Sequence, residues 1–135
     1  MSQKPETTLK RYICIGYFNR EAMDRLPAAE LQGIPAKCGP HMASMYASNN
    51  VVLDAGLSNQ AWWIQRMNSA VRTMDGPYAE AKECIGSVLL IEASSDEEAL
   101  RVAKLHPTTQ IPEGEQLGWR MEVRPVHYFR SASEA

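Results

Sequence analysis

The chain has 135 residues, the length of one ordinary domain, and its 44% apolar and 22% charged residues are typical of a globular protein. Fourteen Lys and Arg against sixteen Asp and Glu give a formal net charge of -2, which argues against a protein that binds nucleic acid by neutralising phosphates. Three Cys without a C-x-x-C pair favour neither a disulfide framework nor a zinc site, and indicate a cytoplasmic protein. We expect no signal peptide and no membrane contact, since no apolar run approaches the roughly 20 residues of a membrane span.

The first predicted strand covers residues 11–18, which are rich in β-branched and aromatic side chains. Alternate residues of a strand face opposite sides of the sheet, and here both sets are largely apolar, so we expect this strand to be covered on both faces. Asn19 is expected to cap a short helical turn over residues 20–26, which Pro27 ends.

Residues 27–40 contain three prolines and two glycines, which argue against one continuous helix through this segment. A helix is predicted to begin near Pro40, since proline is favoured in a first turn, and to end at about Ser48. Met42, Met45, Tyr46 and Asn49 would share its inward face. A second strand is predicted at residues 51–53, broken by residues 54–56.

A hairpin is predicted from Ala61–Met67 and residues 70–74, which flank the two-residue gap Asn68-Ser69. Residues 75–78, Asp-Gly-Pro-Tyr, have the composition of a turn. Residues 85–93 are predicted to form a strand that is apolar on both faces at its centre.

Ser94 and Glu97 match a capping box, with a helix that follows and ends before Pro107. Alternating apolar and polar residues over 117–124 predict a last, half-buried strand.

The element order predicts an α+β, ferredoxin-like βαββαβ domain with an extra hairpin strand, spanning residues 10–129 between flexible tails at 1–9 and 130–135. Two helices cover one face of such a sheet, yet two strands are apolar on both faces. A second copy of the same sheet would cover the other face, so we expect an isologous homodimer.

Residues 75–83 read Asp-Gly-Pro-Tyr-Ala-Glu-Ala-Lys-Glu and are followed by Gly86. This resembles the DGPF branch of the YCII-related family, whose members carry D-G-P-F-x-E-x-K-E and then Gly; Tyr78 replaces the usual Phe. Residues 11–15 are similar to the opening strand of the family, and residues 121–125 are similar to its closing E-V-R-P. The resemblance covers roughly residues 10–126.

The resemblance implies a dimeric α/β barrel of two ferredoxin-like sheets. It also implies a relation to small cofactor-free enzymes, some of them lyases or dehydrohalogenases on aromatic or muconolactone-type substrates. Those enzymes have a histidine near the start of the first long helix, where His41 lies here, and an acidic partner, where this chain has Asn50. DGPF proteins are also associated with sigma factors, which favours a regulatory role.

His41 is the main candidate for a general acid or base, because imidazole titrates near neutral pH. Asp54 or Asp75 would orient it, although a carboxylate before glycine also suits a turn. Tyr17, Tyr78 and Glu80 are the candidate substrate-binding residues, since Pro77 and Gly76 would present the latter two from an ordered loop.

His106 is interpreted as a cation in the last turn of the second helix, where it complements the helix dipole. Cys38 is a candidate reactive thiol if a helix N-terminus lowers its pKa. The histidines lack metal-ligand spacing, and nucleotide-binding motifs are absent, so we expect no metal and no cofactor.

These observations favour a cofactor-free lyase or isomerase that acts on a small, partly aromatic metabolite. The alternative is a ligand-sensing or sigma-factor-associated accessory protein without turnover.

Overall fold

A computed structural model describes residues 8–76 and 82–134 of the chain. Its strands are β1 (Lys10–Asn19), β2 (Val51–Gly56), β3 (Ala61–Met67), β4 (Ala70–Gly76), β5 (Glu83–Ala93) and β6 (Arg120–Pro125). Its helices are α1 (Arg20–Asp24), α2 (Ala28–Ala47), α3 (Asp96–Ala103), α4 (Pro107–Gln110) and α5 (Glu113–Gln116), followed by a 3-10 turn at Ala132–Glu134. No helix in this part of the chain combines the length and apolar character that crossing a membrane requires.

The main sheet has four strands in the order β2-β5-β1-β6, and every neighbouring pair is antiparallel. This order, with α2 between β1 and β2 and α3 between β5 and β6, is the ferredoxin-like arrangement that the sequence predicts. Strands β3 and β4 form a separate two-stranded sheet, the predicted extra hairpin. The described residues form no closed barrel within one chain, and the dimeric barrel stays a prediction.

The prediction of an interrupted helix over residues 27–40 is wrong, because α2 runs without a break through Pro35 and Pro40. Each proline removes a backbone hydrogen bond and disfavours the helix. Tertiary packing outweighs this cost, since Ile34 is buried against Ile111 and Leu117, and Met45, eleven residues later, is buried in the main core.

Two apolar clusters hold the fold together. The main core lies between the sheet and the helices, and it contains Tyr12, Cys14, Met45, Leu89, Ile91, Ala93, Ala99, Val102 and Ala103. A smaller cluster joins α2 to the segment before β6, and it contains Ile34, Ile111 and Leu117, with Met23, Cys38 and Trp119 packed against it. The other face of β1 carries Ile13, Ile15 and Tyr17, which are half-buried, so the predicted cover of this second face stays a prediction.

Local geometry corrects three predictions. β2 continues through residues 54–56 rather than breaking there. β4 includes Asp75 and Gly76, which pair with Trp62 and Ala61, whereas Pro77 and Tyr78 of the predicted turn lie outside the described residues. The helix cap lies one residue later than expected, because Ser95 accepts the Glu98 N–H and Glu98 takes the place of Glu97. The last strand begins at Arg120 rather than at residue 117, since Gly118 adopts a φ of +66° that ends an extended backbone.

The hairpin turn is confirmed at Asn68 and Ser69, whose φ angles of 51° and 65° are those of a type I′ turn.

Candidate functional site

A cleft of about 1050 Å³ with mainly apolar walls opens at one end of the main sheet. Helix α2 forms one wall with Leu31, Cys38 and Met42, and the loop of residues 57–60 with Trp63 of β3 forms another. The floor comes from the end of β1 and the start of β5, and residues 106–108 close the inner side. A cavity of this size and character is typical of a small-molecule site.

A β-bulge shapes the floor of the cleft. Gly16 pairs with Ser87 and Tyr17 pairs with Ile85, so Gly86 is the extra residue in β5. The Gly86 carbonyl accepts the Leu57 N–H at 2.9 Å, and this bond ties the loop of residues 57–60 to the rim of the cleft. Bulges are frequent beside functional sites because they redirect the side chains around them.

His106 and Thr108 are the buried polar residues of the cleft wall, and each is 8% exposed. His106 is the titratable one of the two. It is the N-cap of α4, where its Nδ1 accepts the backbone N–H of Thr108 at 3.0 Å. The interpretation of His106 as a cation at a helix C-terminus is therefore wrong. Pro107 explains the difference, because the residue before a proline is extended and proline favours the first position of a new helix.

Burial lowers the pKa of His106 below its ordinary value, and the negative charge of Asp54 acts in the opposite direction. Since an unperturbed histidine already titrates near pH 6.5, the lowered pKa makes the neutral imidazole the dominant form at neutral pH. The cleft wall therefore contains a histidine that is uncharged at neutral pH.

The sequence-predicted catalytic residues are not among those that line the cleft. His41 is half-buried in the middle of α2, Asp54 is exposed on β2 and accepts a hydrogen bond from the Tyr46 hydroxyl, and Asp75 is exposed on β4 opposite Trp62. All three are described residues, yet none lines the cleft, and no hydrogen bond joins His41 to either carboxylate. Their catalytic role stays a prediction.

Of the predicted binding residues, Tyr17 lines the cleft, whereas Tyr78 and Glu80 lie outside the described residues. The Arg120 guanidinium lies 4.2 Å from the centre of the Tyr17 ring. The same guanidinium binds Glu83 through both oxygens, at 2.5 Å and 3.2 Å. This hydrogen bonding lowers the pKa of Glu83, so the carboxylate at the cleft rim is ionised and a weak base.

Cys38 lines the cleft from the middle of α2, not from a helix N-terminus. Burial raises the pKa of its thiol, and the negative charge of Glu113 adds to the effect. The expectation that a helix N-terminus lowers the pKa of the Cys38 thiol is therefore wrong. Across residues 8–76 and 82–134, no three His, Cys, Asp or Glu side chains converge in a way that could hold a metal ion.

Sequence reasoning missed the site at His106 because the histidine was attributed to the preceding helix. The dipeptide His106-Pro107, with Thr108 after it, is the signal that could have located it, since it predicts an extended N-cap residue before a new helix. Trp63 could not have been assigned to the cleft in this way, because only the tertiary position of the hairpin brings it there.

A comparison with curated proteins found no match. A comparison with protein-family models matched the YCII-related domain over residues 11–124. The match covers both halves of the main sheet and every described residue that lines the cleft. The chain therefore belongs to the YCII-related domain family.

Proposed function

We propose that the protein is a cofactor-free lyase or isomerase that binds a small, partly aromatic metabolite in the cleft and uses His106 to activate it for proton transfer. The observation that carries this proposal is a neutral, mostly buried histidine in the wall of a mainly apolar cleft. Perturbed histidines in clefts are candidates for acid–base catalysis, because enzymes tune their proton-transfer groups by burial.

The cleft walls support the substrate class. Trp63 and Trp119 offer flat aromatic surface, and Leu31, Met42 and Leu57 offer aliphatic surface. Such walls suit a ring compound with few polar groups, since each polar group buried without a partner weakens binding.

Asp54 acts on His106 in this proposal. The sequence predicts Asp54 as the carboxylate that orients His41, and its charge raises the pKa of His106 against the effect of burial. We infer that Asp54 tunes His106, while Tyr46 holds the Asp54 carboxylate in place. His41 remains the alternative proton-transfer residue.

The proposal is tested by proton exchange into heavy water with α-angelica lactone, an unsaturated lactone, and 1-indanone, an aromatic ketone. Wild-type protein should incorporate deuterium into at least one compound faster than buffer does. His106→Gln should slow the exchange by about 100-fold or more, the scale of a lost general acid–base group.

His41→Gln is the matched variant, and it should leave the rate unchanged. If His41→Gln abolishes exchange and His106→Gln does not, the proton-transfer residue is His41 and our assignment is wrong. If neither compound exchanges faster than in buffer, the proposal of a proton-transfer enzyme on this substrate class fails.

The second candidate is a ligand-sensing or sigma-factor-associated accessory protein, and the hairpin favours it. Trp62, Ile64 and Val71 lie on the face of the hairpin opposite Trp63 and are 59%, 71% and 62% exposed. Exposed apolar groups of this kind mark sites of protein interaction. Ligand binding without proton exchange would favour this function.

We also propose a homodimer in which a second copy of the chain covers the half-buried apolar face of the main sheet. This face carries Ile13, Ile15 and Val88. Light scattering at micromolar concentration should give twice the chain mass, and a stable monomer would contradict the dimer.

A further inference from the structure

The contact between Thr108 and His106 determines which ring nitrogen carries the proton. The Thr108 backbone N–H donates to Nδ1 at 3.0 Å, and a backbone N–H can only donate. Nδ1 must therefore present its lone pair. In a neutral imidazole the other nitrogen then carries the hydrogen, so His106 is the Nε2–H tautomer.

The Thr108 hydroxyl does not change this conclusion. Its Oγ1 lies 2.5 Å from the same Nδ1, and a hydroxyl hydrogen can rotate to suit either tautomer. The backbone N–H has no such freedom, because the first turn of α4 fixes its direction. The backbone of Thr108 is therefore the group that positions the proton on Nε2.

Nε2 is the ring nitrogen that is free to meet a ligand. Within the described residues, no hydrogen bond to Nε2 is formed, and no fully buried side-chain nitrogen or oxygen lacks a partner. Nε2 is thus accessible, and His106 borders the cleft. The group that His106 can offer to a ligand at Nε2 is therefore an N–H donor, not a lone pair.

An N–H donor at a mainly apolar cleft favours ligands that carry a hydrogen-bond acceptor. A ligand oxygen can accept a hydrogen bond from the Nε2–H. A ligand of the same shape without that oxygen leaves the N–H without an acceptor, and the lost contact with water then weakens binding. A ligand that offers only another N–H donor is disfavoured for the same reason. The Asp54 carboxylate, whose charge acts on His106, accepts a hydrogen bond from the Tyr46 hydroxyl, and the Glu83 carboxylate at the cleft rim is bound by Arg120.

We propose that His106 donates its Nε2–H to a carbonyl oxygen of the ligand, and that Thr108 is the positioning residue that fixes this tautomer. The proposal rests on the proposed function only in taking the cleft as the ligand site. It gives His106 the role of a hydrogen-bond donor that polarises a carbonyl oxygen, and it identifies the substrate class as oxo compounds such as lactones and aromatic ketones.

The first test needs no ligand. Long-range proton–nitrogen correlation spectra of the wild-type protein near neutral pH should show His106 with a protonated Nε2 and an unprotonated Nδ1. Thr108→Val, which keeps the backbone N–H, should leave this pattern unchanged. A protonated Nδ1, in either the neutral or the cationic ring, overturns the proposal.

The second test compares two ligands that differ in one carbonyl group, phthalide (a benzo-fused lactone) and phthalan (the cyclic ether of the same skeleton). Phthalide should bind about 3- to 10-fold more tightly, the size of one net hydrogen bond. His106→Phe should remove this preference, and His106→Gln, whose side-chain amide supplies an N–H, should retain part of it. Equal affinity in the wild type, or no binding of either compound, overturns the carbonyl proposal.

The donor role of His106 and the proposed enzymatic function can be contradicted independently of each other. The tautomer and the ligand preference are measured without turnover, whereas the proposed function depends on deuterium exchange. Binding of phthalide to the Nε2–H tautomer without exchange would support the donor role and contradict the enzyme.

Discussion

The indole of Trp63 lies against the backbone of Gly76 on the paired strand, so closely that a methyl group on Gly76 would overlap Nε1 and Cδ1 of the ring. Trp63 lines the cleft, and Gly76 belongs to the Asp-Gly-Pro-Tyr sequence. The glycine of this sequence therefore keeps space for a cleft wall, a role that is separate from any turn.

Gly76→Ala should displace the Trp63 ring from the cleft wall. Overpacking costs about 1 to 3 kcal/mol in a core, and we expect a value near the lower end because Trp63 is 43% exposed and can swing outwards. Gly56→Ala is the matched control, since a methyl group at Gly56 meets no atom within 4 Å. The indole NMR signal of Trp63 should shift in Gly76→Ala only; an unchanged signal would contradict this packing.

Asp54→Asn should lower the pKa of His106 further, because the Asp54 carboxylate is the charge that opposes the effect of burial. An NMR titration of the His106 ring measures the shift. Asp75→Asn serves as the control, since no influence of Asp75 on His106 is found. A His106 pKa that rises or stays constant in Asp54→Asn would show that Asp54 does not tune the histidine.

Glu98 gives the protein a pH-dependent stability. Hydrogen bonds from the Ser94 side chain, the Asn50 side chain and the Ser94 backbone lower its pKa to about 2. A carboxyl whose pKa is lower in the folded state stabilises the fold above its unfolded pKa, and this contribution disappears as the pH falls towards the folded value. The free energy of unfolding should therefore decline between about pH 4.5 and pH 2.

Glu98→Gln should reduce the slope of this decline in urea unfolding at several pH values. Glu97→Gln is the control, because Glu97 is exposed and bonds to no described side chain. If both variants keep the wild-type slope, the Glu98 contacts do not contribute to acid sensitivity.

Cys38 should react slowly with iodoacetamide at about pH 8, because burial and the Glu113 carboxylate raise the pKa of its thiol. Glu113→Gln should speed the reaction, and a ligand in the cleft should slow it. Cys14 is the internal reference; it is fully buried, with a pKa raised to about 11, and should stay unmodified in the folded protein. Modification of Cys38 as fast as that of a free thiol would contradict its placement.

The strands and the hairpin were predictable because their signals are local. Both faces of β1 are apolar, and Asn68-Ser69 interrupts two extended runs, so the strand and the hairpin follow from the residues themselves. The continuity of α2 was not predictable, because proline and glycine argue against it locally and only the burial of Ile34 and Met45 restores it.

The candidate site was predictable only in part. Tyr17 was predicted from the sequence and does line the cleft. His106 was assigned to the C-terminus of the preceding helix because its role depends on its burial in the cleft wall, which no local pattern encodes. Trp63 reaches the cleft through the position of the hairpin, a tertiary property.

The most direct test of the ligand site uses the three tryptophans, since Trp63 and Trp119 line the cleft and Trp62 lies on the opposite face of the hairpin. Phthalide is titrated into nitrogen-labelled protein, and the three indole N–H signals are followed together with the His106 ring. We predict that the signals of Trp63, Trp119 and His106 move with one dissociation constant while that of Trp62 stays in place. Movement of Trp62 alone, or of Trp63 and Trp119 without His106, would contradict the assignment of the cleft and of His106 as the ligand site.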